Sequence, residues 1–531
     1  MKQYQKKNRS YFIGALVFIF ISTVFAVVLQ FFKGDVLDYA IAGEVAATAK
    51  YAVLLIAFIF GEVLFYFGYK QFSARFVVGC TKLLKRDIFE STIGRSFVEY
   101  KRLPQGEYIA KYMNVADAIK ARHFKMLPMF WEIFFRIIFV SIALFVLDWR
   151  IALITICLLT TPLYVPKVIE KRLQKAQTDY IKAVETNLAK VNDWLSGFEI
   201  IKNFSIEKKI LSKFDEANDL TMEKQLHDTI LGAVSQLITT LISYLSYFVV
   251  LVFATWLVLK GEFSAGDFFV AIGMIDQLSY PLISLAEIIR QLVAIKPSCR
   301  TMEQFIKEGS KTSNGKILTS LTDGVSYQNV TFAYPDQKPI LKNFSFEAKK
   351  GKRYLIKGPS GCGKTTAVNL LLRYYNINEG SIEIDGVSLS EYGNTYDCMT
   401  VVRQEAVLFQ DTLRNNLTMY RDIPDDKLIN ILNRLELSKF ANDRALDEEI
   451  AENGTNLSGG EKKRICLARA LLRDTDVLIL DEPLANLDEA TARKIEDLLL
   501  SITGKLMLVV SHQFTEEKLK QFDGVVNLNN M

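Results

Sequence analysis

Long apolar runs alternate with long basic, polar stretches over the first 300 residues. Tyr11–Phe32 runs 22 residues without a charged side chain. At about 1.5 Å per residue, such a helix is roughly 33 Å long, enough for a hydrocarbon core of about 30 Å. Comparable runs lie at about Tyr51–Tyr69, Met126–Leu147, Arg150–Val168, Thr229–Leu259 and Phe268–Val293, so the pattern predicts six membrane-spanning helices. An even number of spans places both termini on one side. The stretches between the second and third spans, and between the fourth and fifth, are rich in Lys and Arg; the opposite loops are short. By the positive-inside rule, the basic stretches and both termini are cytoplasmic in a multi-pass cell-membrane protein. Those basic stretches hold few Gly or Pro and read as helices that continue beyond the membrane, each broken by a short turn. The first apolar run is long enough to span and carries no small-residue cleavage site, so no cleavable signal peptide is expected.

From Asp323 onward the pattern changes to short apolar strands alternating with helical segments, the mark of an α/β domain. The expected fold class is therefore an all-α transmembrane domain of six helices (1–305), a polar linker (306–321) and an α/β P-loop NTPase domain (322–531). Composition agrees: 50% of the residues are hydrophobic, concentrated in the first part of the chain. The net charge of +5 is small and dispersed and makes no case for nucleic acid. Cys80, Cys157, Cys299, Cys362, Cys398 and Cys466 show no C-x-x-C spacing, which argues against a zinc site or a disulfide framework.

Several ionisable side chains fall inside the apolar runs, where they are costly and face a cavity or a partner. Glu132 and Arg136 stand four apart and are expected to pair on one helix face. Asp276 has no local partner and is a candidate for lining a substrate path, together with Glu62 and Gln236. The polar face around Gln236 in the fifth span has two readings, helix–helix packing or a pathway wall.

The second half carries the clearest chemistry. Gly358-Pro359-Ser360-Gly361-Cys362-Gly363-Lys364-Thr365-Thr366 fits G-x-x-x-x-G-K-[ST], preceded by an apolar strand and followed by a helical pattern. Its backbone N–H groups and the helix N-terminus are suited to phosphate oxygens, Lys364 to the β/γ-phosphates and the Thr365 hydroxyl to Mg²⁺. Tyr334 stands upstream and can stack on a base. Gln404 can offer an amide oxygen to Mg²⁺ or water. Ser458, Gly459 and Gly460 open a second helix and make a second anion site. The apolar run Val477–Leu480 ends in Asp481, placed to orient Mg²⁺ through water, and Glu482, placed to polarise an attacking water. His512 follows another apolar strand, where open α/β sheets place ligands.

In this order, these elements resemble the nucleotide-binding domain of ATP-binding cassette (ABC) transporters. Tyr334 matches the A-loop, Gly358–Thr366 the Walker A loop and Gln404 the Q-loop. Leu457–Glu461 matches the signature sequence, Val477–Glu482 Walker B, Asp488 the D-loop aspartate and His512 the switch histidine. Phe97…Gly106…Asn114-Val-Ala-Asp117 and Gly197–Phe204 resemble the two cytoplasmic loops of exporter-type half-transporters. The resemblance implies a dimer with a second half-transporter subunit, in which ATP lies between Walker A of one subunit and the signature of the other. It implies Glu482 as the catalytic carboxylate and His512 as a γ-phosphate contact. The signature ends in Glu461 where Gln is usual, and Ala485 stands where the D-loop commonly has Ser. The expected function is ATP-driven export of a peptide, lipid or amphipathic compound by alternating access. The rivals are import of a siderophore-like compound on the same fold and an ATP-gated channel or sensor.

Overall fold

The computed structural model describes residues 1–160, 165–309, 315–334, 338–359, 361–511, 514 and 516–528. The chain divides into two compact units. One comprises 1–93 and 105–309; the other comprises 94–104 and 310–531.

The first unit is helical. Arg9–Ile41, Val45–Ile93, Gln105–Leu147 and Glu207–Leu259 are long and apolar enough to cross a membrane. Trp149–Leu158 is a shorter apolar helix, and the fourth apolar run then passes into residues 161–164, outside the described residues. The sixth run coincides with the helix Ala265–Ala294, which carries Pro281 in its interior. The two basic stretches do continue as helix. Val45–Ile93 extends 49 residues and Glu207–Leu259 extends 53, far beyond what a bilayer requires. Along Val45–Ile93, Phe60, Leu64 and Phe67 remain exposed, an apolar face suited to lipid. At the far end of the bundle, Asp38 ties two helices together. Its carboxylate accepts 2.6 Å hydrogen bonds from the Ser264 hydroxyl and from the Gly266 N–H, at the first turn of Ala265–Ala294. A carboxylate there satisfies a terminal N–H and complements the helix dipole.

The expected pairing of Glu132 with Arg136 is not what forms. Glu132 lies 3.7 Å from Lys70 Nζ and accepts a 3.3 Å hydrogen bond from the Tyr66 hydroxyl, both on Val45–Ile93. A residue four positions along the same helix is within reach, but a lysine and a phenol on the neighbouring helix approach the carboxylate more directly. Glu62 is half-buried, whereas Gln236 and Asp276 are exposed, each on a different helix.

The second unit is built on two larger sheets, with a two-stranded parallel pair, Lys316–Ile317 and Tyr392–Asn394, beside them among the described residues. Five parallel strands run in the order Gly524–Asn527, Arg353–Lys357, Leu506–Val510, Val477–Asp481, Met399–Val402. Every residue of Val477–Asp481 and Leu506–Val510 is buried, as expected of central parallel strands covered on both faces. Alternate side chains enter two cores: Ile479, Leu508 and Val510 on one face, Leu478, Leu480 and Val509 on the other. A four-stranded antiparallel sheet, in the order Leu341–Lys349, Gly324–Phe332, Glu379–Ile384, Val387–Ser388, adds to the first core. Residues 94–104 belong with this unit although they interrupt the helical one in sequence. Ser96 opens the short helix Phe97–Lys101 with a reciprocal capping box to Glu99. The Phe97 ring then stacks on Tyr374, with centroids 3.8 Å apart and planes 12° from parallel.

Candidate nucleotide site

The carboxyl ends of the three adjacent strands Arg353–Lys357, Leu506–Val510 and Val477–Asp481 define the site. The Walker A loop leaves the first of these and enters the helix Lys364–Leu371 through Gly363, at φ 102°. A β-carbon at Gly363 would also lie 2.8 Å from Leu341, so both conformation and space select glycine. Lys364 is buried and folds over the loop. Its ammonium donates to the Gly358 oxygen at 2.6 Å and to the Pro359 oxygen at 2.9 Å. Those acceptors are neutral carbonyls, so the buried cation carries a charge that a polyphosphate would balance. The Thr365 hydroxyl lies 3.5 Å from Asp481 Oδ2, and the Thr366 hydroxyl 3.2 Å from that of Tyr334. Tyr334 is held edge-on against Tyr375 and Phe332, each at 5.0 Å between centroids.

A pocket of about 450 Å³ is lined by Tyr334, Gly361, Gly363, Lys364, Thr365, Thr366, Gln404, Asp481 and Glu482. Residues from four separate stretches of sequence thus meet in one place. Cys362 is half-buried in the loop and its thiol is free. Asp481 is buried, and burial pushes its carboxyl above the usual range, while Arg403 and Lys463 oppose that shift. Glu482 follows at φ 48°, a left-handed conformation uncommon for a residue with a β-carbon, and its N–H donates to the Val510 oxygen at 2.8 Å. Strain of this kind at the end of a strand is typical of functional positions. The Thr365 hydroxyl, the Gln404 amide and the Asp481 carboxylate supply the hard oxygen donors that suit Mg²⁺. Ser360 and His512 lie outside the described residues.

Ser458, Gly459 and Gly460 do not line this pocket. They open the helix Gly459–Arg473, where the Ser458 hydroxyl accepts from the Glu461 N–H and the Glu461 carboxylate accepts from the Ser458 N–H at 2.8 Å. Glu461 also meets Lys439 at 2.5 Å. Burial works against ionisation of Glu461, but Lys439 and the Ser458 N–H outweigh it and hold the carboxyl below its usual range. The departure from the usual Gln therefore keeps the cap and adds a neutralised charge. Asp488 caps the next helix, Glu489–Leu500, by accepting from the Thr491 N–H at 3.0 Å.

Two residues of the site escape a reading by motif. Lys463 is buried, and its ammonium donates to the main-chain oxygens of Arg403 at 2.6 Å, Gln404 at 3.1 Å and Asp481 at 3.3 Å. Burial holds its pKa below the ordinary lysine value. Arg403 bonds the Asn369 side-chain oxygen at 2.7 Å, lies 3.8 Å from Asp481 and stands over the Tyr374 ring. A signal for Lys463 was present. It precedes Leu467 by four and Ala470 by seven, which puts it on the apolar face of its helix.

A P-loop α/β domain with convergent lysine, threonine and carboxylate groups, carried on a chain with several membrane-length helices, defines a nucleotide-dependent membrane protein. Comparison with known proteins makes the class specific. The model of the ABC transporter transmembrane region matches residues 12–282, and the ABC transporter model matches 341–485. The chain belongs to the ABC transporter family, with both modules fused in one polypeptide and the helical one making it a multi-pass membrane protein. The ATP-dependent lipid A-core flippase of Photobacterium profundum is 29% identical over 379 residues, covering 69% of this chain and 64% of its own length. This chain thus spans less than two thirds of that relative. The multidrug resistance-like ATP-binding protein MdlB of Buchnera aphidicola is 27% identical, over 86% of this chain and 80% of its own. The structure of a bacterial Atm1-family ABC exporter with ATP bound matches with a TM-score of 0.82 at 22% identity, over 98% of this chain and 93% of that one. That likeness is one of fold.

Proposed function

We propose that this chain hydrolyses ATP to drive export of a lipid or amphipathic compound, working as a dimer of half-transporters. The observation that carries the ATPase reading is the single pocket joining Lys364, Thr365, Gln404, Asp481 and Glu482. Lys364 would engage the β/γ-phosphates, with Thr365 and Gln404 holding Mg²⁺ and Asp481 orienting it through water. The ion would neutralise charge on the phosphates. Glu482 would accept the proton of the attacking water, and His512 would contact the γ-phosphate. Tyr334 would stack on the base. Ser458, Gly459 and Gly460 lie outside the pocket formed within one chain, which supports their use by a second subunit. The working domain limits are 1–305, 306–321 and 322–531, with both termini cytoplasmic by the Lys/Arg distribution.

Export of lipid or amphipathic cargo is favoured by the similarity to a lipid A-core flippase and to a multidrug resistance-like ATP-binding protein. Asp276, Glu62 and Gln236 are the candidates along its path. Two measurements test the reading. ATP turnover of the purified full chain in lipid nanodiscs should depend on Glu482. A fluorescent lipid should accumulate in inside-out vesicles with ATP and fail to do so with Glu482→Gln. ATP-dependent uptake in intact cells alone would instead establish import, and flux exceeding ATP turnover by orders of magnitude would establish a channel.

A further inference from the structure

A second pocket, of about 500 Å³, lies wholly within the helical unit. Its polar lining is Tyr66, Tyr69, Lys70 and Ser73 from the helix Val45–Ile93, with Lys125 and Glu132 from the start of the third apolar run. Its position along the chain matters. The second apolar run ends at Tyr69, next to Lys70, and the third begins at Met126, next to Lys125. Each lysine therefore adjoins the cytoplasmic end of an apolar run, with Tyr66 and Tyr69 beside Lys70. Val77, Met129 and Ile133 supply the apolar part of the wall.

The charges in the pocket do not cancel. Glu132 is already committed to Lys70 at 3.7 Å and to the Tyr66 hydroxyl at 3.3 Å. Lys70 is further anchored over the Tyr66 and Tyr69 rings, at 4.6 and 5.0 Å from their centroids. Lys125 is exposed and makes no ion pair among the described residues. One unmatched positive charge remains, beside a fixed second ammonium, a serine hydroxyl and an apolar wall. We propose that this pocket binds the phosphodiester headgroup of an acidic membrane phospholipid, with Lys125 and Lys70 on the phosphate and acyl carbon against Met129 and Ile133. Basic pockets between helices at a membrane boundary suit such headgroups. The site requires that these helices cross a membrane; it does not require transport.

The test uses the full chain in detergent and native mass spectrometry to count retained lipid. The probes are phosphatidylglycerol, phosphatidylcholine with the same acyl chains, and soluble glycerol phosphate. The expected result is preferential retention of phosphatidylglycerol, reduced roughly fivefold by Lys125→Ala and preserved by Lys125→Arg. Equal retention of the two lipids, or undiminished phosphatidylglycerol on Lys125→Ala, overturns the proposal. Glycerol phosphate binding as well as the lipid would identify a free-phosphate site and overturn the lipid assignment. A wild-type measurement guards against a misfolded variant: a photoreactive acyl chain on phosphatidylglycerol should label the 129–133 segment. Labelling confined to other helices, or blocked by dimer formation, would place the lipid elsewhere or show that a second copy fills the pocket.

Discussion

Lys463 donates a 2.6 Å hydrogen bond to the main-chain oxygen of Arg403, and through the same ammonium holds the Gln404 and Asp481 carbonyls. One buried cation thus joins the signature helix to the loop that carries Gln404 and to the strand that carries Asp481. Lys463→Met fills the same volume and leaves buried carbonyls without a donor, each worth on the order of 1–3 kcal/mol. The expected outcome is a fall in ATP turnover of about tenfold or more. Lys463→Gln, with a shorter reach but two donors, should retain a larger part of it. Equal turnover in both variants and wild type would remove this residue from the site.

Glu482 occupies a left-handed conformation that aims it from the end of its strand into the pocket. Glu482→Gln keeps size and phosphate cradle but loses the proton acceptor. Hydrolysis should drop by about 10²–10⁴-fold, the usual worth of a general base, while binding of a fluorescent ATP analogue persists. Turnover within a few-fold of wild type would contradict that role.

Glu461 gives a pH prediction. Its carboxyl is held below its ordinary value near 4.3. A depressed carboxylate stabilises the fold above its unfolded value, and that contribution is lost as pH falls through the folded one. Glu461→Gln should therefore lower the melting temperature of the full chain at pH 7 more than at pH 4. A difference between the proteins that is independent of pH would show that Lys439 and the Ser458 N–H do not favour the ionised carboxylate.

Phe97 stacks on Tyr374, and Tyr375 in turn packs edge-on against Tyr334. An aromatic pair of this kind is worth about 0.5–1.5 kcal/mol. We expect Phe97→Ala to reduce substrate-stimulated ATPase while basal hydrolysis continues, because the nucleotide pocket itself is untouched. Unchanged stimulation would show that the stack is structural only.

Cys362 lies within the phosphate loop as a half-buried free thiol. Alkylation should inhibit ATP turnover and prior ATP should slow the labelling. A full rate after confirmed modification would mean that the loop tolerates the adduct.

The sequence by itself determined the division into a membrane half and an α/β half, because a charge-free run of bilayer length and a phosphate loop between strand and helix are local patterns. It also named Lys364, Asp481 and Glu482, since each lies at a fixed offset from its own strand or loop. Tertiary structure decided which groups meet. Glu132 looked four positions along its own helix to Arg136, but its partners stand on another helix, 62 and 66 positions earlier in sequence. Lys463 and Arg403 entered the site because sheet order brings Met399–Val402 beside Val477–Asp481. Residues 94–104 likewise join the nucleotide-binding unit through tertiary contacts, among them the stack of Phe97 on Tyr374, far apart in the chain. Periodicity and motif spacing act within one element, whereas ion pairs, buried cations and ring stacking depend on distances that only packing sets.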